Sequence, residues 1–323
     1  MSIAKSSKII YLDQNAWIEL ARIYYGQPSD IEKELLGKVL EASNKETAFF
    51  PISLIHLSEL PNTAKTRWRK ELLSMMTEIS KCYTVTPYWD KLRELEIKNL
   101  ILKELDKPPI NVRSYFIGKG FSHLIGKIPT IKSNSINPEK LIELNQKLQS
   151  ALNNPEIFLE LANKFSNDSK KDRVTAVQKF EIIRKRLNQH KDNQYRRKVF
   201  LWENIVATIL PKLNLFLADM NLPLTFGQKI VEKILDKYDA DDILSNIPTA
   251  LCEFTLMFQR DQQSSRIIQV NDVYDIWHLT LAIPYSDIVV TEKMWATISR
   301  NTALDKKCNT VILSSINDLI KFL

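Results

Sequence analysis

Four acidic side chains in this sequence lie beside apolar runs that a folded chain would bury. They are Asp13 after "KIIYL", Glu59 in "LIHLSEL", Asp275 in "DVYDIWHLTLAI" and Glu292 after "DIVVT". Two full charges about 4 Å apart repel by about 4 kcal/mol at an effective dielectric of about 20. Clustered carboxylates must therefore be partly protonated or neutralised by cations. Oxygen ligands without paired cysteine or histidine favour a hard ion, so we expect one or two Mg²⁺ or Mn²⁺ ions.

Strand and helix patterns alternate around these acids. Residues 8–12 predict a buried strand, and the apolar spacing from Asn15 to Tyr25 predicts a helix. Further strands are predicted in "TAFFPIS", "YTVTP", "SDIVVT" and "NTVILS", with helices between them and a closing helix in "INDLIKFL". Alternating strands and helices favour a parallel sheet covered on both faces. Because ligands collect beyond the carboxyl ends of such strands, we expect the acids to meet at one edge.

The middle of the chain has a different character. The stretch that begins "KPPINVRSYFIGKGF" at Lys107 predicts a linker or irregular segment, and residues 139 to about 260 predict charged helices. We therefore predict an α/β domain made of residues 1–106 and 246–323. A mainly helical insertion, residues 107–245, interrupts it.

Bulk composition narrows the class of protein. The net charge of +7 and the pI near 9.1 give a moderate bias toward polyanions. The three cysteines form no CxxC pair, which excludes a zinc ribbon and favours a reduced, cytoplasmic setting. No apolar run approaches membrane-spanning length. We therefore expect a soluble cytoplasmic protein with no membrane partner.

Four of these motifs, taken in order, resemble the PIN-domain family of nucleases. The matching stretches are "IIYLDQNAWI", "PISLIHLSEL", "DVYDIWHLTLAIPYSDIVVTEKMW" and "NTVILSSINDL". That family has a strand ending in Asp with Asn two residues later, a Ser-initiated helix bearing Glu, a helix opening with Asp, and a strand ending in Thr and an acid. The resemblance implies a PIN-like three-layer domain with a central parallel sheet. This chain departs from the family in its large insertion and in Glu292, where Asp is more usual.

The resemblance also implies metal-dependent hydrolysis of phosphodiester bonds, usually in RNA. Asp13, Glu59 and Asp275 would be metal ligands, directly or through water. Glu292 would complete the cluster or help to activate the water, and Asn15 would orient Asp13 or the water. A carboxylate-held Mg²⁺ or Mn²⁺ would orient a phosphate and lower the pKa of a water molecule, so no covalent nucleophile is needed.

Plainer interpretations of the same residues stay open. Asp13 is a good helix N-cap in its own right, and Glu59 could lie on a solvated helix face. Asp272 and Asp275 are one helical turn apart, so one could cap the helix while the other faces the site. Asp272 and Thr291 are therefore additional site candidates.

Two histidines share helices with these acids. His56 precedes Glu59, and His278 follows Asp275 by one turn. A lone histidine on an otherwise apolar helix is more often a packed, hydrogen-bonded residue than a ligand. We therefore expect both to be structural.

Two basic tracts, each with aromatic residues close by, are candidates for nucleic-acid binding. "KTRWRK" contains Lys65, Arg67 and Arg69, and "RKRLNQHKDNQYRRK" contains Arg184, Arg186, Arg196 and Arg197. Basic side chains neutralise phosphates, and aromatic rings stack on unpaired bases. For either tract alone, a solvated helix face is an equally good interpretation.

The leading hypothesis is a cytoplasmic metal-dependent endonuclease that acts on RNA first and DNA second. The main alternative is a non-catalytic PIN-like adaptor that binds nucleic acid or protein. A hydrolase of small phosphoesters is a third option, which the basic tracts do not explain. By analogy with many PIN-like nucleases, we expect a growth-arrest toxin or an effector of anti-phage defence. The insertion could hold a regulatory protein partner, and the chain could form an oligomer.

Overall fold

The computed structural model describes most of the chain and has an α/β architecture. The described residues are 7–60, 66–87, 89–127, 129–165, 177–178, 181–182, 184–185, 192–219, 224–262 and 267–323. Helices dominate these ranges, and a four-stranded parallel sheet lies among them. The prediction of an α/β fold with a parallel sheet is therefore confirmed.

The main sheet has the strand order β2–β1–β5–β6, and all neighbouring strands are parallel. Its strands are β1 (Lys8–Leu12), β2 (Ala48–Phe49), β5 (Ile288–Val290) and β6 (Val311–Leu313). A small antiparallel sheet pairs β3 (Tyr83–Val85) with β4 (Ile117–Lys119). A bridge between Ile52 and Thr84 joins β3 to the residues that follow β2.

Nine helices precede residue 166 in the described part of the chain. They are α1 (Gln14–Tyr25), α2 (Asp30–Asn44), α3 (Leu54–Glu59), α4 (Thr66–Ser80), α5 (Trp89–Glu104), α6 (Arg113–Phe116), α7 (Gly120–Leu124), α8 (Pro138–Leu152) and α9 (Pro155–Phe165). The segment from Lys107 was predicted to be irregular, and residues 113–124 contradict this. They form α6, β4 and α7 because β4 pairs with β3 while Phe116 and Phe121 are buried.

The later helices lie before β5 and between β5 and β6. They are α10 (Asn193–Asn204), a π-helical segment (Ile205–Ile209), α11 (Leu210–Asp219), α12 (Leu224–Lys237), α13 (Ala240–Ser245), α14 (Pro248–Gln262), α15 (Val270–Tyr285), α16 (Lys293–Asn301) and α17 (Leu304–Cys308). The closing segment, predicted as an α-helix, is instead a 3₁₀ helix (Ile316–Lys321). Its buried residues, Ile316 and Leu319, are three positions apart, the spacing that a 3₁₀ helix aligns.

Strand β1 divides the core because its side chains alternate between the two faces of the sheet. Ile9 and Tyr11 belong to one hydrophobic cluster, and Ile10 and Leu12 belong to the other. These four residues are at most 1% exposed. Helical residues fill out both clusters, so the sheet is the central one of three layers.

The predicted insertion contributes to both clusters. Phe158 of α9 belongs to the same hydrophobic cluster as Leu12, whereas Phe200 and Ile205 belong to the cluster of Tyr11. Helix α9 also contacts α3 and α4. The boundary of the insertion at 107–245 stays a prediction, but residues from both sides of it share the same core.

One continuous helix in the described part of the chain, Asn193–Ala218, is long and apolar enough to cross a membrane by length and composition. Its most apolar window has a mean hydropathy of 1.2 and is 28% buried. Phe200, Ile205 and Ile209 of this helix pack into the core. One such helix is weak evidence for a membrane span, because core helices of soluble proteins pass the same test.

Candidate functional site

Parallel pairing of β1 with β5 places two predicted site residues side by side. Leu12 pairs with Val290, so the next residues, Asp13 and Thr291, leave the sheet at the same edge. The Asp13 amide donates to the Val290 carbonyl at 3.0 Å. The Thr291 hydroxyl donates to the Asp13 carboxylate, so Thr291 contacts a proposed ligand directly.

Asp13 is both a helix cap and a member of the acid cluster. Its Oδ1 accepts from the Ala16 amide at 2.8 Å, and the residue is only 6% exposed. Burial raises the pKa of Asp13 to about 6, and the charges of Glu292 and Glu59 act in the same direction. The two interpretations of Asp13 from the sequence are therefore compatible.

Asp275 lies on α15 and faces the same acids. Its Oδ2 accepts from the indole Nε1 of Trp295 at 2.8 Å. Burial raises the pKa of Asp275 to about 8, against the effect of this hydrogen bond, and the charges of Glu292, Glu59 and Asp13 raise it further. These mutual effects mean that the structure brings the four predicted carboxylates together.

Glu292 is the exposed member of the cluster, and Asn15 holds it. Glu292 precedes α16, and its Oε1 accepts a short hydrogen bond from Asn15 Nδ2. Asn15 was expected to orient Asp13 or a water molecule. In the structure its partner is the fourth acid, because the first turn of α1 faces the loop that follows β5.

Glu59 ends the short helix α3 and points toward α15. Ser53 caps this helix by accepting from the His56 amide at 3.2 Å. The Glu59 side chain is 14% exposed, and its Oε2 lies 3.1 Å from His278 Nε2. A solvated helix face, the plainer interpretation, does not describe this position.

The two histidines are packed side chains, as expected. His56 is fully buried, and its ring stacks on Tyr11 with centroids 5.2 Å apart. His278 is 2% exposed, and burial lowers its pKa to about 3, so its imidazole is neutral near pH 7. His278 nevertheless contacts the acid cluster through Glu59, which the sequence did not indicate.

Asp272 has a different role from Asp275. Its Oδ2 lies 2.7 Å from Arg260 Nη2 and accepts from the Gln269 amide at 2.7 Å. The pair is buried, with the Arg260 and Asp272 side chains 0% and 2% exposed. Asp272 thus anchors the first turn of α15 on α14, while Asp275 faces the site.

The donor set fits a hard divalent cation. It consists of four carboxylates, two of which have pKa values raised first by burial and then by the charges of the other acids. Among the described residues, no three acidic, histidine or cysteine side chains already stand in ligating positions. Ion binding would therefore require the carboxylates of the cluster to move closer to one another.

The structure gives several predicted nucleic-acid-binding arginines protein partners. Arg184 Nε and Arg196 Nη2 lie 3.6 Å and 3.2 Å from the carboxylate of Asp261. Arg197 Nη1 donates to Asp241 at 2.7 Å. These three side chains join helices of this chain, which makes them weaker candidates for binding phosphate.

The first basic tract is more open. Arg67 is 87% exposed although it pairs with Glu71 at 2.8 Å, and the neighbouring Trp68 is 48% exposed. Arg69 is partly buried, and its Nε has no hydrogen-bond partner within the described residues. Lys65 and Arg186 lie outside the described residues.

Two contributors to the site escaped the sequence interpretation. Trp295 resembles an ordinary core residue of an amphipathic helix, and Tyr11 resembles an ordinary residue of a buried strand. Their polar atoms reach Asp275 and His278 only through the tertiary fold. A buried tryptophan or tyrosine usually has a hydrogen-bond partner for its polar atom. This rule predicts that Trp295 and Tyr11 each bind a polar group, but it does not identify the group.

Comparisons of this chain with protein-family models, with curated proteins and with solved structures found no match. Its function is therefore inferred from its own residues.

Proposed function

We propose that this protein is a PIN-like metal-dependent endonuclease that hydrolyses phosphodiester bonds, with RNA as the favoured substrate and DNA as the second. One observation carries the proposal. Asp13, Glu59, Asp275 and Glu292 come from four separate elements; burial raises the pKa values of Asp13 and Asp275, and the charges of the other acids raise them further. A cluster that holds protons against its own repulsion is a site where a divalent cation can replace them.

The position of each residue supports a particular role in holding the ion. Asp13, Glu59 and Asp275 would hold the ion, while Thr291 and Trp295 keep their donors on the Asp13 and Asp275 carboxylates. When bound, Mg²⁺ or Mn²⁺ would act as a Lewis acid on a phosphate and make a water molecule more acidic.

Glu292 is the best-placed group to accept a proton from the attacking water. It is the exposed member of the four, so a substrate and solvent can reach it. Asn15 Nδ2 holds its Oε1, which fixes the carboxylate at the mouth of the cluster. A positioned general base of this kind needs no covalent intermediate.

Arg67 and Trp68 are the part of the predicted nucleic-acid surface that the geometry supports best. Both are exposed at the start of α4, which follows the helix that carries Glu59. An exposed guanidinium can neutralise a phosphate, and an exposed aromatic ring can stack on an unpaired base. An exposed ring of this kind favours a single-stranded substrate.

The test is cleavage of labelled RNA with Mn²⁺ or Mg²⁺ by the wild type, Asp13→Asn and Asp275→Asn. Asp30→Asn is the matched control because the Asp30 side chain is 99% exposed and pairs with Lys33 rather than with any of the four acids. We expect the wild type and the control to cleave and both site variants to be inactive. Equal cleavage by all four proteins would reject the site.

The non-catalytic adaptor stays a second candidate because no three described side chains already stand in ligating positions. An adaptor would bind nucleic acid or protein and need not bind the ion. RNA binding without Mn²⁺ binding would favour the adaptor. We further propose a cytoplasmic setting, a toxin or anti-phage role, and a regulatory protein partner for residues 107–245.

A further inference from the structure

A chain of buried polar side chains runs under the acid cluster and ends at Glu59. It starts at Ser53, the N-cap of α3, whose Oγ lies 3.0 Å from the Tyr11 hydroxyl. The Tyr11 hydroxyl also makes a short hydrogen bond with His278 Nδ1. The other ring nitrogen of His278, Nε2, lies 3.1 Å from Glu59 Oε2.

This polar chain connects both ends of one short helix. Helix α3 has six residues, a length of about 9 Å. Ser53 lies before its first residue and Glu59 is its last, and both are tied to the same pair of side chains, Tyr11 and His278. A helix of so few residues has little stability of its own, so such ties decide where its final side chain points.

His278 also links two proposed ligands to each other. It lies three residues after Asp275 on α15, so both side chains project from one face of that helix. One helix therefore supplies an acid to the site and the group that holds a second acid. Tyr11, Ser53 and His278 are 0%, 1% and 2% exposed, so water does not compete for these hydrogen bonds.

The contacts allow two arrangements of protons, and in one of them His278 donates to Glu59. A neutral imidazole has one donor nitrogen and one acceptor nitrogen. Glu59 as a carboxylate accepts from Nε2–H, which leaves Nδ1 to accept from the Tyr11 hydroxyl. In that arrangement Tyr11 accepts from Ser53 Oγ, which itself accepts from the His56 amide. In the other arrangement the Tyr11 hydroxyl donates to Ser53, Nδ1 carries the proton of His278 and Nε2 accepts.

We propose that His278 is the positioning residue that fixes Glu59 for ion binding, an inference that rests on the proposed function. Tyr11 and Ser53 hold the ring of His278 in the orientation that serves Glu59. Hydrogen-bond partners of metal ligands contribute about 10- to 100-fold to metal affinity or activity.

A matched pair of variants tests this proposal. Nε2 of glutamine is as many bonds from Cβ as Nε2 of histidine, whereas the amide of asparagine reaches only as far as Nδ1. His278→Gln can therefore still donate to Glu59, and His278→Asn can meet only Tyr11. We expect the Mn²⁺ concentration for half-maximal RNA cleavage to rise about 10- to 100-fold in His278→Asn. In His278→Gln this Mn²⁺ concentration should stay within about threefold of the wild-type value. In both variants the loss of cleavage rate should be smaller at saturating Mn²⁺ than at low Mn²⁺.

Equal Mn²⁺ requirements in the two folded variants would overturn the proposal. Thermal unfolding of both variants is the control for folding. If neither folds, ¹⁵N NMR of histidine-labelled wild type decides: the proposal requires the Nε2–H tautomer of His278, and the Nδ1–H tautomer would overturn it. The tautomer is measured without metal or RNA. A wild type that neither binds Mn²⁺ nor cleaves RNA therefore contradicts the proposed function alone.

Discussion

At the scale of single residues, the site is defined by carboxylates that carry more protons than their ordinary pKa values allow. Asp13 and Asp275 have pKa values of about 6 and about 8 because burial and neighbouring acids disfavour their charged forms. A residue under such constraint is a candidate for function. The cost of burying such a carboxylate should be measurable as a change in the free energy of unfolding, without any substrate.

We predict that Asp275→Asn stabilises the metal-free protein at pH 8 but not near pH 4. The folded-state pKa of Asp275, about 8, is above the ordinary value of 3.8, so the folded state binds the proton more tightly. The stability that this proton provides is complete below pH 4 and is lost as the pH rises through 8. We expect a gain of about 1–3 kcal/mol in the free energy of unfolding at pH 8.

Urea denaturation with a chelator, at pH 8 and at pH 4.5, measures this difference. A variant that gains the same free energy at both pH values would show that Asp275 is not protonated in the folded wild type.

Sequence reasoning pointed to the four acids but not to the groups that bind them. Asp13 and Glu292 were recognisable because each follows an apolar strand, and strand ends meet at one edge of a parallel sheet. The contact between Glu59 and His278 joins residues 219 positions apart, and no local pattern records it. The same limit explains why Arg184 and Arg196 were predicted to bind nucleic acid. Their partner, Asp261, lies on a helix that no sequence pattern pairs with them.

At the scale of elements, helix ends place Asp13, Glu59 and Glu292, whereas Asp275 lies in the second turn of α15. Strand β1, α1 and α3 were predictable because a buried apolar run and cap residues mark them. The closing 3₁₀ helix and the elements at 113–124 were not, because tertiary pairing and burial decide them.

Asp13 offers a test that separates its capping role from its role in the site. Asparagine caps helices about as well as aspartate, whereas alanine costs about 1 kcal/mol. We predict that Asp13→Asn abolishes cleavage without loss of stability, and that Asp13→Ala is about 1 kcal/mol less stable than Asp13→Asn. Chemical denaturation and RNA cleavage measure the two effects. An active Asp13→Asn would leave Asp13 with the capping role alone.

The pair Arg260–Asp272 fixes the helix that delivers Asp275. Both side chains are buried, so removal of the arginine leaves an uncompensated carboxylate at the first turn of α15. We predict that Arg260→Ala costs about 3–5 kcal/mol and that Arg260→Met with Asp272→Leu costs less than Arg260→Ala. Urea denaturation of the three proteins checks this order. A single variant as stable as the wild type would mean that this pair does not anchor α15.

At the scale of the whole molecule, residues 107–245 are part of the core that supports the site. Phe158 of α9 is fully buried and meets Phe121 edge-on, with ring centroids 6.1 Å apart. Helix α9 also touches α3, the helix that carries Glu59. A regulator bound to these helices would therefore act on elements that position the acids.

We predict that Phe158→Ala lowers the stability of the whole chain by about 3–5 kcal/mol in one cooperative transition. Removal of the ring leaves a cavity in the hydrophobic cluster that Phe158 shares with Leu12 of β1 and Trp17 of α1. Calorimetric unfolding distinguishes this outcome from independent domains. Two separate transitions, with only one shifted by the substitution, would show that the insertion folds alone.

The most direct measurement of the central claim is calorimetric titration of Mn²⁺ into the wild type, Asp13→Asn, Asp275→Asn and Asp30→Asn at pH 7.5. The account predicts saturable binding of one or two ions by the wild type and by Asp30→Asn. It predicts that Asp13→Asn and Asp275→Asn bind at least about tenfold more weakly. Equal binding by all four proteins, or none by the wild type, would contradict the claim that these carboxylates gather around a divalent ion.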